Sequence, residues 1–145
     1  MSESSQSVLK IQDSNDVGDI DELMQVMKKL FEPGKNIAMK VPAHEYETTV
    51  AFYRDVLNLT ELTPNGEGLS PRFDFGGKIL WIDRVQGCSQ TEIWLEITTD
   101  YAAKAARHFE ENGIVRCDEI EPLPDSFSGF WILNPGNIVH LVSGT

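Results

Sequence analysis

Residues 36–83 and 92–142 of this 145-residue chain read as two copies of one unit: a strand, a helix, then three strands. Placing Asn36 on Glu92 puts Val41 on Ile97 and Tyr53 on Phe109 without a gap. The first copy opens with Asn36-Ile37-Ala38-Met39-Lys40-Val41, continues through a helix containing Phe52-Tyr53-Arg54-Asp55-Val56-Leu57, and closes on a hairpin at Gly76-Gly77. The second opens with Glu92-Ile93-Trp94-Leu95-Glu96-Ile97, has a helix ending at Asn112-Gly113, and closes on a hairpin at Asn134-Pro135-Gly136-Asn137. A repeat of about 50 residues signals duplicated supersecondary units that share a core. The chain is too short for two independent domains, so the two copies have to build one.

Finer signals place the elements. The first helix is expected from about Ala43 to Leu57, with Tyr46, Val50, Tyr53 and Leu57 as its apolar stripe. Leu59 to Thr63 reads as a strand, Pro64 to Gly68 as a loop, and Arg72–Phe75 with Lys78–Val85 as a hairpin around two glycines. In the second copy Asp100 is the expected N-cap and Gly113 the C′ residue, with Ala102, Ala105, Ala106 and Phe109 facing inward. Val115 to Ile120 is the next expected strand, and Glu121 to Ser126 a loop.

Residues 1–18 are polar and expected to be flexible. An N-terminal helix over 19–34 is expected from Asp19 and Glu22 as a capping box, with Ile20, Leu23, Met24, Met27, Leu30 and Phe31 on one face. Pro33-Gly34 should stop it. The paired-module domain then covers 35–145, with modules at about 36–85 and 92–143.

Net charge is −11. That argues against nucleic acid, whose phosphates demand clustered Lys and Arg, and it favours cationic ligands in a cleft. No stretch approaches the roughly 20 apolar residues of a membrane span. The N-terminus has no basic start or apolar run like a secretory signal, and Cys88 and Cys117 lack metal or redox spacing. A reduced, cytoplasmic protein without membrane partners is the expectation.

The two βαβββ units, the Phe52-Tyr53-x-x-Val56-Leu57 helix and the closing Asn134-Pro135-Gly136-Asn137 hairpin resemble the vicinal oxygen chelate superfamily over about residues 35–143. That superfamily includes glyoxalase I, bleomycin-resistance proteins, extradiol dioxygenases and fosfomycin-resistance enzymes. The resemblance implies an α+β fold in which two modules pair into a cupped, eight-stranded mixed sheet, in a homodimer, with ligand or metal inside the cup. In metal-dependent members the first and last strands of each module supply the ligands. Carried onto this chain, counting Gly77 onto Gly136 for the last strands, those positions are Asn36, Trp81, Glu92 and His140. Tryptophan cannot ligate, and Asn is a poor ligand for zinc or nickel. Glu92 and His140 remain, and the next inward residue, Asp83, could join them.

Strand alternation extends the cup beyond the resemblance. With Glu92 facing it, Trp94 and Glu96 follow, while Ile93, Leu95 and Ile97 pack under helices. With Asn36 facing it, Ala38 and Lys40 follow. Trp81 brings Ile79 and Asp83, and pairing across Gly76-Gly77 adds Arg72 and Asp74. Across the second hairpin Trp131 is expected to pair with His140. All three tryptophans of the chain then line one concavity beside several charged groups. Indole faces next to carboxylates suit a flat or cationic ligand, at about 0.5–2 kcal/mol per cation–π contact.

Two functions compete. One is a small-molecule-binding protein of the bleomycin-resistance type, using Trp81, Trp94, Trp131, Glu96, Asp74, Arg72, Lys40 and Asn36 for an amphipathic or cationic ligand, with no cofactor. The alternative is a lyase or isomerase resembling glyoxalase I, holding one zinc, nickel, manganese or iron ion on Glu92, His140 and Asp83, with Glu92 as catalytic base.

Overall fold

The computed structural model describes residues 30–62 and 70–144. Seven strands and two α-helices alternate along them: β1 (Glu32–Pro42), α1 (Tyr46–Ala51), β2 (Arg72–Phe75), β3 (Lys78–Val85), β4 (Glu92–Thr99), α2 (Ala102–Glu111), β5 (Val115–Arg116), β6 (Gly129–Leu133) and β7 (Val139–Gly144). They form a single mixed sheet in the order β2-β3-β1-β4-β7-β6-β5. Within each module the first and last strands run parallel, β1 beside β3 and β4 beside β7. The modules join where β1 and β4 pair antiparallel, with Ala38 directly opposite Trp94. The gapless repeat alignment also maps Ala38 onto Trp94, so a pseudo-two-fold axis passes between these two residues.

One sheet face is covered by the helices. In the first module Val41, Val50, Phe73, Leu80 and Ile82 form a buried cluster, with Tyr46, Tyr53 and Leu59 packed against it. In the second, Ala105, Phe130, Ile132 and Val142 do the same, joined by Leu30, Phe31 and Phe109. Alternation accounts for this: Ile37, Met39 and Val41 of β1 share a face with Leu80 and Ile82 of β3, which leaves Asn36, Ala38 and Lys40 on the other.

Several expected elements are corrected. Of the expected N-terminal helix, and of the flexible stretch before it, residues 1–29 lie outside the described residues. Glu32, Pro33 and Gly34 are strand, not helix: Glu32 pairs with Thr98 and Pro33 with Ile97. A residue preceding proline is driven out of the helical region, which suits Glu32 to extended chain. The helix expected over 43–57 is composite, a 3-10 turn at Ala43–Glu45, then α1, then a π-helical segment at Phe52–Val56. The wider turn shifts the phase of the stripe, so that Leu57 is 45% exposed and Leu59 packs in its place.

The expected strand at Leu59–Thr63 is reduced, among the described residues, to one bridge between Glu61 and Phe73. Leu59 still gives its N–H to Tyr53 of the helix end, so only Thr60 and Leu62 reach β2, through bonds of 2.9 and 2.8 Å. Among the described residues the sheet therefore has seven strands rather than eight. The strand expected at Val115–Ile120 stops at Arg116, and Asp118–Ile120 is a 3-10 turn. There the Asp118 carboxylate accepts the Trp131 N–H at 3.1 Å, taking the role of a ladder carbonyl and releasing the backbone to turn.

The N-cap of α2 is Tyr101, not Asp100. Its C-terminus is as expected: Gly113 has φ +73°, and the N–H groups of Gly113 and Ile114 close on Glu110 and Phe109, a Schellman pattern. The first hairpin also matches, with Gly76 and Gly77 both at positive φ in a two-residue turn. Among the described residues no helix is long and apolar enough to cross a membrane.

Candidate functional site

The sheet face opposite the helices carries a cavity of about 400 Å³ lined by Asn36, Ala38, Lys40, Trp81, Asp83, Trp94, Glu96 and Trp131, all expected there. Leu95 also lines it and is 38% exposed, which corrects its expected place under the helices. Ser70, Glu121, Phe127 and Leu141 complete the lining. These four came from no motif; three lie in or beside loops, where side-chain direction has no period to read. A cavity of similar volume lies between α1 and the β2 edge, but Arg54 and Glu61, which line it, are paired with each other at 2.8 and 2.9 Å.

The floor of the cup is built around Lys40. Its ammonium donates to Asp83 at 2.8 Å and to Glu121 at 3.1 Å, and lies 4.2 Å from the centre of the Trp94 ring. The residue as a whole is 7% exposed. Burial alone would lower its pKa, but the hydrogen bonds and charges of Asp83 and then Glu121 outweigh that and hold the amine above its ordinary value. Asp83 is held on its other oxygen by the Ser70 hydroxyl. Lys40 and Asp83 sit directly opposite each other on β1 and β3, so strand register itself makes the pair.

A second network runs beside it. Glu96 accepts the Asn36 backbone N–H at 3.1 Å, the Asn36 amide at 3.0 Å and the Ser143 hydroxyl at 2.8 Å. The Asn36 amide oxygen in turn accepts the Trp81 indole N–H at 2.7 Å. The other indoles are committed too: Trp94 donates to Glu92 at 3.0 Å and Trp131 to the Glu121 carbonyl at 2.9 Å. Trp94 and Trp131 meet edge to face, centroids 5.3 Å apart, and the Arg72 guanidinium lies 5.2 Å from the Trp81 ring centre.

The remaining expected residues fall elsewhere. Glu92 is exposed, on the cup face but outside the cavity lining. Asp74 is on the same face but turned to its own hairpin, accepting the Gly77 N–H at 3.4 Å. His140 is corrected outright. Trp131 pairs with Leu141, and His140 with Ile132, so His140 lies on the helix-covered face with Ile132 and Val142. Its ring Nδ1 is 3.0 Å from the Ile138 carbonyl oxygen. The glycines used for counting are not equivalent: Gly77 ends a two-residue turn, whereas Gly136 is in the middle of the turn between Leu133 and Val139. A slip of one residue moves a side chain to the other face.

The four positions that the resemblance assigns to a metal therefore do not fit one. Asn36 and Trp81 are bonded to each other, Glu92 holds an indole, and His140 is across the sheet. Among the described residues no three His, Cys, Asp or Glu side chains converge in a way that would hold an ion. Burial and then Asp118 and Glu119 raise the Cys117 thiol pKa, which disfavours the thiolate.

No protein-family model matches the sequence, and no curated protein matches it. Solved structures do share the fold. A manganese(II)-bound glyoxalase from Novosphingobium aromaticivorans matches at TM-score 0.53 and 18% identity over 76% of this chain, which spans only 38% of that protein. A glyoxalase/bleomycin resistance protein/dioxygenase superfamily member from Vibrio splendidus 12B01 matches at TM-score 0.53 and 9% identity, over 79% of this chain and 100% of that one. Methylmalonyl-CoA epimerase from Mycobacterium tuberculosis matches at TM-score 0.51 and 12% identity, over 80% and 89%. The chain has the fold of the vicinal oxygen chelate superfamily, as the sequence resemblance implied.

Proposed function

We propose that this chain is a small-molecule-binding protein that holds an amphipathic organic ligand in the tryptophan-lined cup without a metal. The observation that carries this reading is the Lys40 ammonium, which occupies the floor of the cup against Asp83 and Glu121. A cation is thus already built into the place where clustered carboxylates would otherwise collect one. Three indoles, Phe127 and Leu141 supply an apolar lining around it, the combination of apolar wall and few polar groups expected of a small-molecule pocket.

The alternative is a metal-dependent lyase or isomerase, and the manganese-bound glyoxalase among the similar folds is its argument. Elemental analysis of protein purified without a chelating tag separates the two, followed by titration with nickel, zinc, manganese and iron. Substoichiometric metal and no micromolar binding are expected, together with a change in indole emission when aromatic compounds are screened. About one tightly held ion per chain, lost in Glu92→Ala, would overturn the metal-free reading.

A further inference from the structure

Most polar groups of the cup are already spent on one another. Each indole N–H has an acceptor, in Asn36, Glu92 or the Glu121 carbonyl. Asp83 takes Lys40 on one oxygen and Ser70 on the other, and Glu96 takes three donors from Asn36 and Ser143. A ligand that sought hydrogen bonds here would have to break existing ones, and unmaking a satisfied polar contact in a half-buried site is costly. What the cup still offers is ring surface.

The charge of the ligand follows from the same contacts. A cationic aromatic would seek an indole face flanked by carboxylates. That arrangement exists once on the floor, at Trp94 beside Asp83 and Glu121, and the Lys40 ammonium fills it at 4.2 Å from the ring centre. Over Trp81 stands a second resident cation, Arg72, at 5.2 Å. Glu96 is the remaining carboxylate of the lining, and its three neutral donors leave it one lone-pair position at most.

Shape narrows the class again. Ala38 on β1 lies directly opposite Trp81 on β3 and Trp94 on β4. The backbone positions of the two tryptophans are thus two strand spacings apart, roughly 10 Å, with only the Ala38 methyl group at that register between them. Such a slot takes one flat ring system against an indole wall.

Resting on the proposal that the cup binds a small molecule, we infer that its ligand is a flat, neutral aromatic compound, and that Lys40 is the residue that selects against cationic ones by standing in for them. The inference departs from the cationic preference suggested by net charge, because Asp83 and Glu121 already hold Lys40 and Glu96 already accepts three donors.

A matched pair of probes tests it, quinoline, which is neutral at neutral pH, and N-methylquinolinium, a permanent cation of nearly the same outline. Calorimetric titration of the wild-type chain should give quinoline the tighter binding by about tenfold, the scale of one lost cation–π contact. In Lys40→Met, with circular dichroism unchanged, the cation should gain about tenfold and the preference should vanish or invert. Equal or tighter wild-type binding of the cation would overturn the inference while leaving the cup a binding site. A folded Lys40→Met with unaltered cation affinity would also overturn it. Binding of neither probe by the wild-type chain would overturn the binding reading, and the inference with it. If Lys40→Met does not fold, the wild-type ratio of the two probes still decides.

Discussion

The two modules share a backbone plan yet line the cup with different chemistry. Under the two-fold relation Asn36 corresponds to Glu92 and Lys40 to Glu96, so the central strands exchange an amide and an ammonium for two carboxylates. Beside them the last strands diverge further. On β3 the cup-facing residues include Trp81 and Asp83, while on β7 Leu141 and then Ser143 face it. The first half contributes the ammonium, and the second contributes most of the apolar wall, Trp94, Trp131, Phe127 and Leu141, together with the carboxylates of Glu96 and Glu121. Duplication supplies a symmetric bowl, and the side chains convert it into an oriented one. A ligand of the kind proposed would therefore meet two unlike ends of the cup.

The comparison breaks most severely if either core is hollowed. Phe73 is fully buried under α1, and Phe73→Ala should cost about 3–5 kcal/mol in urea denaturation. Because β1 and β4 form one seam, the loss should appear as a single shifted transition. Two separate transitions would mean that the modules unfold independently. In the second module Gly129→Ala should cost about 1–3 kcal/mol, since a Cβ there meets the Val142 carbonyl and the Phe127 ring. Among the described glycines of β1 to β3 none meets backbone in this way, although a Cβ at Gly34 would meet the Glu96 side chain.

Substituting symmetry mates sharpens the contrast. Lys40→Met leaves Asp83 without its cation and should cost about 2 kcal/mol, less than the 3–5 kcal/mol of a sealed pair because Glu121 is 46% exposed. Its mate Glu96 is held by neutral donors, and Glu96→Gln should cost about 1 kcal/mol or less in the same assay. Alkali supplies the mildest test. The Lys40 amine is held above its ordinary value in the fold, so its stabilisation is complete below the unfolded lysine value of about 10.4 and fades as pH climbs through the folded one. The stability gap between wild type and Lys40→Met should thus be constant near neutrality and narrow in strong alkali. A gap that widened there would refute the ion pair as its source.

The repeat and the face of each central strand were legible in the sequence because period-two alternation and a gapless match of Asn36 to Val41 on Glu92 to Ile97 survive without any knowledge of loops. Asn36, Lys40, Trp94 and Glu96 reached the cup on that basis; Trp81, and Asp83 with it, came through the position carried over from the resemblance, and Trp131 through a pairing with His140 that the structure replaces with Leu141. His140 did not, since its placement depended on the turn before it, and turns do not preserve parity. Glu121 and Phe127 were invisible for a related reason: they reach the cup from irregular chain, although the loop that carries them could be located. The π-helical turn at Phe52–Val56 had no sequence marker that distinguishes it from an α-helix, and with it went the expected burial of Leu57. Asp118 misled because a carboxylate that imitates a backbone carbonyl ends a strand where apolar residues suggest continuation.

Ala38 sits where the two halves cross, and its smallness has a consequence for how this protein could change. A leucine there would project into the gap between Trp81 and Trp94 and fill the floor with hydrocarbon. The fold would gain buried surface and lose the space that the proposed ligand needs. Selection for stability alone would push this position toward larger side chains. A lineage that keeps alanine here is one in which the empty space itself is being maintained.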